Sequence, residues 1–504
     1  MGTFVGRGWI DHGYVWTHEG LGQSTIGEFS KKLKHLSFLP HFVERNGQEV
    51  WLKPSVMDPG IYDGPKKYRF PIGGTLQGFL EGVLIRNKQF GHIKIALVDL
   101  TKDIGKPEFA GFNHEAPVSA ASVPKIAAML AAYQLRHDLR ALLKKQHKRA
   151  RDTKDLFKLV RQDWADTQHD HGGKSDVFTG GVSLRGKLVL VNGSKVPLGE
   201  PKAPRLEDVF TDAKGAPIPI KFKSTGEDKA RLETIIDQFN LRKEKKELQQ
   251  AEKELAKAKD ESMRKAAQRK LTEAKTKLAE AIQTKRPEAR RKLDALGFLE
   301  RMRVMIGGLT PASNYATSTI VRDVGFLYIA STLLQSGLYD TNRNGGLWLG
   351  GDYGNVGWRG GLSGEKAFAT ATAGSLAAFL TLLVQDRLVS PLASSSMRRL
   401  MQIEPRNPTH PTTQSIFERG LSAHRLRKVL AKIGFDSEGI HECAYIERDI
   451  DCGKDKKWIL PHRYIAVCLG AKSVHELKQL IDELDICVLA NNRTTPCVEV
   501  SRRA

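Results

Sequence analysis

The sequence lacks several features that would assign it to a class at once. No apolar run among its 504 residues reaches the roughly 18 needed to cross a bilayer, so no transmembrane helix is predicted. Five cysteines are present, all between Cys443 and Cys497, and none has the spacing of a zinc site. These cysteines predict no metal site, and no organic cofactor is predicted either.

The few cysteines leave two interpretations. Buried free thiols are one, and a single bridge such as Cys443 to Cys452 in an oxidising compartment is the other. The first twenty residues contain no basic segment followed by an apolar core, so no secretory signal is predicted. The chain as written is expected in the cytoplasm, or in the cell envelope if its start lies further upstream.

Acidic residues are outnumbered by basic ones, and the formal net charge is +22. Such a charge favours association with anionic polymers or surfaces and does not identify a partner. The sequence contains no nucleic-acid-binding motif and no aromatic residues interleaved with its basic clusters. Nucleic-acid binding is therefore not predicted.

Glycine and proline are both missing from residues 227–285. Apolar residues recur there at three-and-four spacing, which predicts a long charged helix or a helical hairpin. The repeat changes phase between residues 260 and 270, which allows a bend, a stutter or an antiparallel turn. A second copy of the chain or a protein partner could bind residues 228–285, and a solvated hairpin is the alternative.

The segments outside this charged region have regular patterns. Asn-Gly pairs at Asn46-Gly47 and Asn192-Gly193 predict two β-hairpins. A helix, two strands and a second helix are predicted from Thr75 onward. Pro287 suits the first turn of a further helix, a helical region is expected to about residue 399, and three strands and a helix are expected after it.

A short stretch, "PVSAASVPKIAAML", places Lys125 one turn after Ser122 at the start of an otherwise apolar helix. A lysine that loses its hydration there would be neutral, and a neutral amine can accept the serine proton. The S-x-x-K pattern is weak by itself. A second copy, Ser262 to Lys265, lies in the charged segment, where we expect no chemistry from it.

Two further patterns follow in order along the chain. "TPASNYATS" contains Ser313-Asn314-Tyr315, and "LAKIGFD" contains Lys432-Ile433-Gly434. With Ser122 and Lys125, this order resembles the penicillin-recognising serine hydrolases, such as class A β-lactamases and low-molecular-weight penicillin-binding proteins. The resemblance covers roughly residues 75–140 and 288–490.

The resemblance implies an α/β (α+β) fold of the β-lactamase type. This fold has an antiparallel sheet flanked by helices and an all-helical subdomain, here with a large insertion that contains the charged helical segment. The implied organisation has four parts: an N-terminal extension (1–74), the first part of the catalytic domain (75–148), the insertion (149–287) and the second part of the catalytic domain (288–504).

The resemblance also implies roles for particular residues. Ser122 would be the nucleophile, Lys125 the general base, Ser313 the proton relay and Lys432 the group that orients an anionic substrate. Backbone N–H groups of Ser122 and Phe435 would form the oxyanion hole. The implied substrate-binding residues are Asn314, Tyr315, Gly434 and Phe435.

Two positions and one missing motif depart from the family pattern. Tyr315 stands where the family has asparagine, and Ile433 lacks the hydroxyl that normally contacts a substrate carboxylate. The E-x-x-L-N motif of class A enzymes is missing. Asp352 is the nearest candidate for its glutamate, and Glu365 is a more distant one.

The leading hypothesis is a serine-dependent acyl hydrolase or transferase. Its substrate would be a small molecule or peptide with an amide, β-lactam or ester carbonyl, which forms an acyl-enzyme at Ser122. The alternative is a catalytically impaired β-lactamase-like module that binds or assembles through its helical segment.

Overall fold

The computed structural model describes most of the chain from residue 75 onward. The described ranges are 75–145, 226–307, 311–324, 336–340, 345–349, 369–403, 415–421, 425–452 and 458–492, with single positions between 329 and 353 and around 497. Six short strands are also described, in three hairpins: β1 (Trp9–Asp11) with β2 (Tyr14–Trp16), β3 (Phe42–Arg45) with β4 (Gln48–Trp51), and β8 (Leu188–Val191) with β9 (Ser194–Pro197).

Both predicted Asn-Gly hairpins are confirmed by the strand register. Arg45 pairs with Gln48 across a two-residue connection, and Val191 pairs with Ser194 in the same way. The connecting residues in each case are Asn-Gly, which readily adopt the positive φ angles that a tight hairpin turn requires.

One seven-stranded antiparallel sheet organises the described residues. Its strand order is β14-β15-β16-β17-β5-β6, with β18 also paired to β17. The strands are β5 (Lys94–Asp99), β6 (Glu108–Phe112), β14 (Gln402–Ile403), β15 (Arg425–Asp436), β16 (Gly439–Cys452), β17 (Trp458–Ala471) and β18 (Val498–Glu499). The two strands and the three strands predicted from sequence are all confirmed as members of this sheet.

A smaller sheet lies beside the start of the second helix. It joins β7 (Val118–Ser119), β13 (Ala369–Ala371) and β12 (Trp348–Leu349), and a two-stranded ribbon pairs β10 (Tyr339–Asp340) with β11 (Gly345–Gly346). The expected helical region up to residue 399 is therefore wrong in detail. Gly345 and Gly346, which form β11, have positive φ angles that an α-helix does not accommodate.

Eleven helices lie within the described residues. They are α1 (Thr75–Arg86), α2 (Lys125–Lys145), α3 (Gly226–Asn240), α4 (Arg242–Lys257), α5 (Glu261–Asp294), α6 (Phe298–Gly307), α7 (Pro311–Val324), α8 (Ala373–Val384), α9 (Pro391–Met401), α10 (Ile416–Gly420) and α11 (Val474–Asn491). None of them combines the length and the apolar character needed to cross a bilayer.

The large sheet separates two apolar cores. One face packs against α1, α10 and α11, through residues such as Leu80, Phe417 and Leu484. The other face joins the core formed by α2, α6, α7 and α8. Side chains alternate along β15, so that Leu430 packs in the second core and Ile433 in the first. The fold is thus mixed α/β with an antiparallel sheet between helical layers.

The glycine-free segment forms an antiparallel helical hairpin of α4 and α5. Leu271 and Ala274 of α5 pack against Ala251 of α4 in a small separate core. Ion pairs cross the hairpin, with Lys270 Nζ 3.0 Å from Glu254 Oε2. Of the arrangements left open by sequence, the antiparallel turn is the one present, and association through residues 228–285 stays a prediction.

Two details differ from the sequence expectations. Pro287 lies inside α5 and does not begin a helix. It is exposed, so water can solvate the carbonyl that its missing N–H leaves unpaired. A disulfide joins Cys452 to Cys497, 45 residues apart, and does not involve Cys443. Cys443 is a buried free thiol, as are Cys468 and Cys487.

Candidate active site

Ser122 lies in a tight turn between the small sheet and α2. The N–H of Ala120 donates to the carbonyl of Ala369 at 3.0 Å, which is the last contact with the small sheet before the turn. Ala121 then has a φ of 49°, in the left-handed region that few non-glycine residues adopt. The turn changes the chain direction so that Ser122 precedes the helix that begins at Lys125.

Strand β15 packs directly on this turn. A Cβ atom added to Gly434 would lie 2.6 Å from the carbonyl oxygen of Ala120 and 2.9 Å from the backbone nitrogen of Ser122. Only glycine allows this approach, so the structure brings the third motif against the first. The backbone nitrogen of Ser122 therefore lies beside the strand that contains Phe435.

Lys125 occupies the first position of α2 and is 0% exposed. Its Nζ donates to Ser313 Oγ at 2.9 Å and to Asn314 Oδ1 at 2.7 Å. Ser313 is also completely buried, and its hydroxyl donates to the carbonyl of Met305 at 2.8 Å. The first and second motifs, 188 positions apart, therefore meet through a buried amine.

Burial lowers the pKa of Lys125 well below its usual value, and the positive charge of Lys432 lowers it further. Both effects favour the neutral form of the amine, which has two N–H groups and one lone pair. Both N–H groups have acceptors, in Ser313 and Asn314. The lone pair is the part of the amine left to accept a proton.

The second S-x-x-K copy, Ser262 to Lys265 in α5, has the same spacing in a different environment. The side chain of Lys265 is 77% exposed, and its Nζ lies 3.0 Å from Glu261 Oε1, one turn earlier in α5. Solvation and a neighbouring carboxylate both favour a charged ammonium. The same residue pattern thus places Lys265 in solvent beside a carboxylate, whereas Lys125 is buried against neutral oxygens.

Lys432 lies on the face of β15 that points toward the helical core, paired with Cys443 of β16. Burial lowers the pKa of Lys432 to about 8, although Cys443 and Glu442 act in the opposite direction. The side chain thus remains largely positive at neutral pH. It supplies a buried positive charge close enough to influence Lys125.

The predicted substrate-binding residues have different surroundings. Asn314 faces Lys125, and its Oδ1 accepts from the amine at 2.7 Å. Tyr315 instead faces the end of α5: its hydroxyl donates to Asp294 Oδ1 at 2.5 Å and accepts from Arg290 Nε at 3.0 Å. Gly434 lies on the Ser122 turn, and the side chain of Phe435 is exposed.

Tyr353 is a site residue that the sequence interpretation missed. The Nζ atom of Lys125 lies 4.7 Å from the centroid of its ring, and its hydroxyl donates to the carbonyl of Ala121 at 2.5 Å. No local pattern distinguishes it, since its neighbours form a glycine-rich stretch. Asp352 and Glu365, the two expected candidates for a deacylating carboxylate, lie outside the described residues.

Ser122 makes no hydrogen bond through its hydroxyl to any group in the described part of the chain. Its Oγ is consequently not held by Lys125 in this state, and catalytic hydrogen bonds are commonly long before substrate binds. Among the described residues, no group of three or more His, Cys, Asp or Glu side chains is arranged to hold a metal ion.

Comparison with solved structures finds β-lactamases. One, from Sphaerobacter thermophilus, is 13% identical over 83% of this chain and 98% of its own, with a TM-score of 0.35. Another, from Chitinophaga pinensis, is 9% identical over 82% of this chain and 99% of its own, with a TM-score of 0.36. No family model and no curated protein sequence matches the chain. At these values the likeness assigns no activity, and the side-chain geometry must supply the argument.

Proposed function

We propose that this protein is a serine-dependent acyl hydrolase or transferase of the β-lactamase, D,D-peptidase or esterase type. The observation that supports the proposal most is the buried amine of Lys125, whose two N–H groups are occupied by Ser313 and Asn314. A structural lysine would be exposed or paired with a carboxylate. Lys125 instead contacts two neutral oxygens and an aromatic ring.

In the first step, Ser122 Oγ attacks the carbonyl carbon of an amide, β-lactam or ester, and its proton moves to the lone pair of Lys125. The resulting ammonium is stabilised by Ser313 Oγ, by Asn314 Oδ1 and by the ring of Tyr353. We expect the N–H groups of Ser122 and Phe435 to stabilise the negative charge that develops on the carbonyl oxygen.

The second step returns the proton to the leaving group. Ser313 Oγ accepts from Lys125, and its own hydrogen points to Met305. Once that hydroxyl rotates, Ser313 gives its hydrogen to the departing nitrogen or oxygen and takes the proton from the Lys125 ammonium, so both lysine and serine are regenerated. Lys432 holds an anionic part of the substrate. Water or another acceptor then cleaves the ester at Ser122, which gives the hydrolase or the transferase reaction.

The test is covalent labelling of the intact chain. We expect a fluorophosphonate probe or a fluorescent penicillin to add one mass increment to the peptide that contains Ser122. Ser122→Ala should abolish this adduct and Lys125→Ala should slow its formation by at least about a hundredfold, as general-base loss does.

Ser262→Ala is a matched control, because it removes the serine of the exposed S-x-x-K copy. That variant should react like the wild-type protein. Absence of a Ser122 adduct with either probe, in protein that is folded by circular dichroism, would contradict the proposal.

A further inference from the structure

The turn that contains Ser122 is held by a second contact with β15, two residues beyond Gly434. Ser119, the last residue of β7, donates its hydroxyl hydrogen to Asp436 Oδ2 at 2.9 Å. Asp436 is the last residue of β15 and belongs to the connection with β16. This bond links the strand that leads into the turn with the strand that packs on it.

Asp436 is fixed by its own connection. Its Oδ1 accepts from the backbone N–H groups of Glu438 at 2.9 Å and Gly439 at 3.2 Å, and lies 3.1 Å from Nε2 of the fully buried His441. Oδ1 of Asp436 therefore orders the connection between β15 and β16, and Oδ2 accepts from Ser119. The side chain is 23% exposed, so these partners shield it from most of the solvent.

The geometry of β15 makes the two contacts act together. Residues 434 and 436 lie on the same face of the strand because side chains alternate with a period of two. The contact at Gly434 sets how closely the strand approaches Ala120 and Ser122, and the bond at Asp436 prevents the two elements from separating. Tyr353 adds a third contact through the carbonyl of Ala121.

A clamp of this kind is needed because the turn is not held by its own conformation. Ala121 has a positive φ, which costs an alanine free energy and favours relaxation of the backbone. Relaxation would move the backbone nitrogen of Ser122 away from β15. An oxyanion hole works only when its donors stay in place, and a displacement of about 1 Å costs on the order of a hundredfold in rate.

We infer that Ser119 and Asp436 are positioning residues that clamp the Ser122 turn against β15 and so keep the oxyanion hole assembled. The inference rests on the proposed function for its catalytic consequence. The mechanical part, that the clamp orders the turn, does not depend on any activity.

The experiment compares Ser119→Ala and Asp436→Ala with two controls. Ser119→Thr keeps a hydroxyl and should retain the clamp. Glu438→Ala truncates an exposed carboxylate in the same connection that contributes only its backbone N–H to Asp436. We expect the first two variants to acylate with a fluorophosphonate ten- to a hundredfold more slowly than wild type, with KM for an ester within about twofold. The controls should react normally.

Amide hydrogen exchange separates the clamp from the chemistry. Exchange in the peptide that covers residues 118–123 should become faster in Ser119→Ala and Asp436→Ala, while α11 stays protected and the melting temperature shifts by only a few degrees. Unchanged exchange and acylation in Ser119→Ala would overturn the inference, as would a uniform loss of protection throughout the sheet. If wild-type Ser122 cannot be acylated, the proposed function fails and the exchange result still decides the clamp.

Discussion

Replacing Gly434 with alanine tests the close approach of β15 to the turn that contains Ser122. The new methyl group would lie 2.6 Å from the carbonyl oxygen of Ala120 and 2.9 Å from the nitrogen of Ser122, where ordinary contact begins at 3.4 Å. The shortfall at the carbonyl oxygen is about 0.8 Å. Both neighbouring atoms belong to backbone, so no flexible side chain can move aside.

The strand and the turn must therefore separate by a large part of an ångström. Such a displacement widens the oxyanion hole and is expected to reduce the acylation rate by roughly a hundredfold. Overpacking of this size costs about 1–3 kcal/mol of stability, which a chain with a core this large should tolerate.

The assay is the second-order rate constant for fluorophosphonate labelling, together with thermal unfolding. Gly78→Ala is the matched control, because no atom lies within 4 Å of a Cβ atom added there in α1. The control should keep full reactivity. Wild-type acylation by a folded Gly434→Ala variant would refute the idea that this contact assembles the site.

Three further predictions concern charge and covalent structure. Activity toward an anionic substrate should fall above about pH 8, because Lys432 loses its proton there, while activity toward a neutral ester should not. Lys432→Gln also removes the positive charge that lowers the pKa of Lys125, so the acidic limb of the kcat/KM profile should move to higher pH. An unmoved acidic limb would contradict the electrostatic effect of Lys432 on Lys125. Burial raises the pKa of Glu442 to about 7 from 4.5, so the folded state binds this proton more tightly than the unfolded chain does. The free energy of unfolding of the wild-type protein should therefore decline by on the order of 3 kcal/mol between pH 4.5 and 7 because of this group. Denaturant unfolding of Glu442→Gln should lack that decline, and parallel pH curves for the two proteins would refute the prediction. Cys452→Ser should cost about 4 kcal/mol, as expected for a bridge that closes 45 residues, and peptide mapping without reductant should recover the linked peptides; free thiols at both positions would contradict this.

Much of the fold is encoded locally and could be predicted. Asn-Gly pairs between alternating strands give hairpins because those residues tolerate positive φ angles. The apolar alternation of residues 428–471 gave the three long strands of the sheet. The absence of glycine and proline in residues 227–285 required helices. Pro287 misled the prediction, because an exposed proline can lie within a helix that packing on both sides maintains.

The candidate site was predictable only in part. The residue types at Ser122, Lys125, Ser313 and Lys432 and their order supported a hypothesis, yet the same S-x-x-K spacing recurs at Ser262, where the lysine is exposed. The difference is solvent: one lysine is buried against neutral oxygens and the other is exposed beside a carboxylate. A spacing of three cannot report either environment.

The sequence by itself determined the strands, the hairpins, the charged helical segment and the ordered residue pattern on which the proposed function is based. Tertiary structure alone decided that Asn314 and not Tyr315 faces Lys125, that Tyr353 covers the amine, and that Cys452 bonds to Cys497. The physical reason is the separation along the chain over which each effect acts. Backbone propensity and periodicity act over a few residues, whereas the pKa of Lys125 depends on groups brought from 188 and more positions away and on the water they exclude.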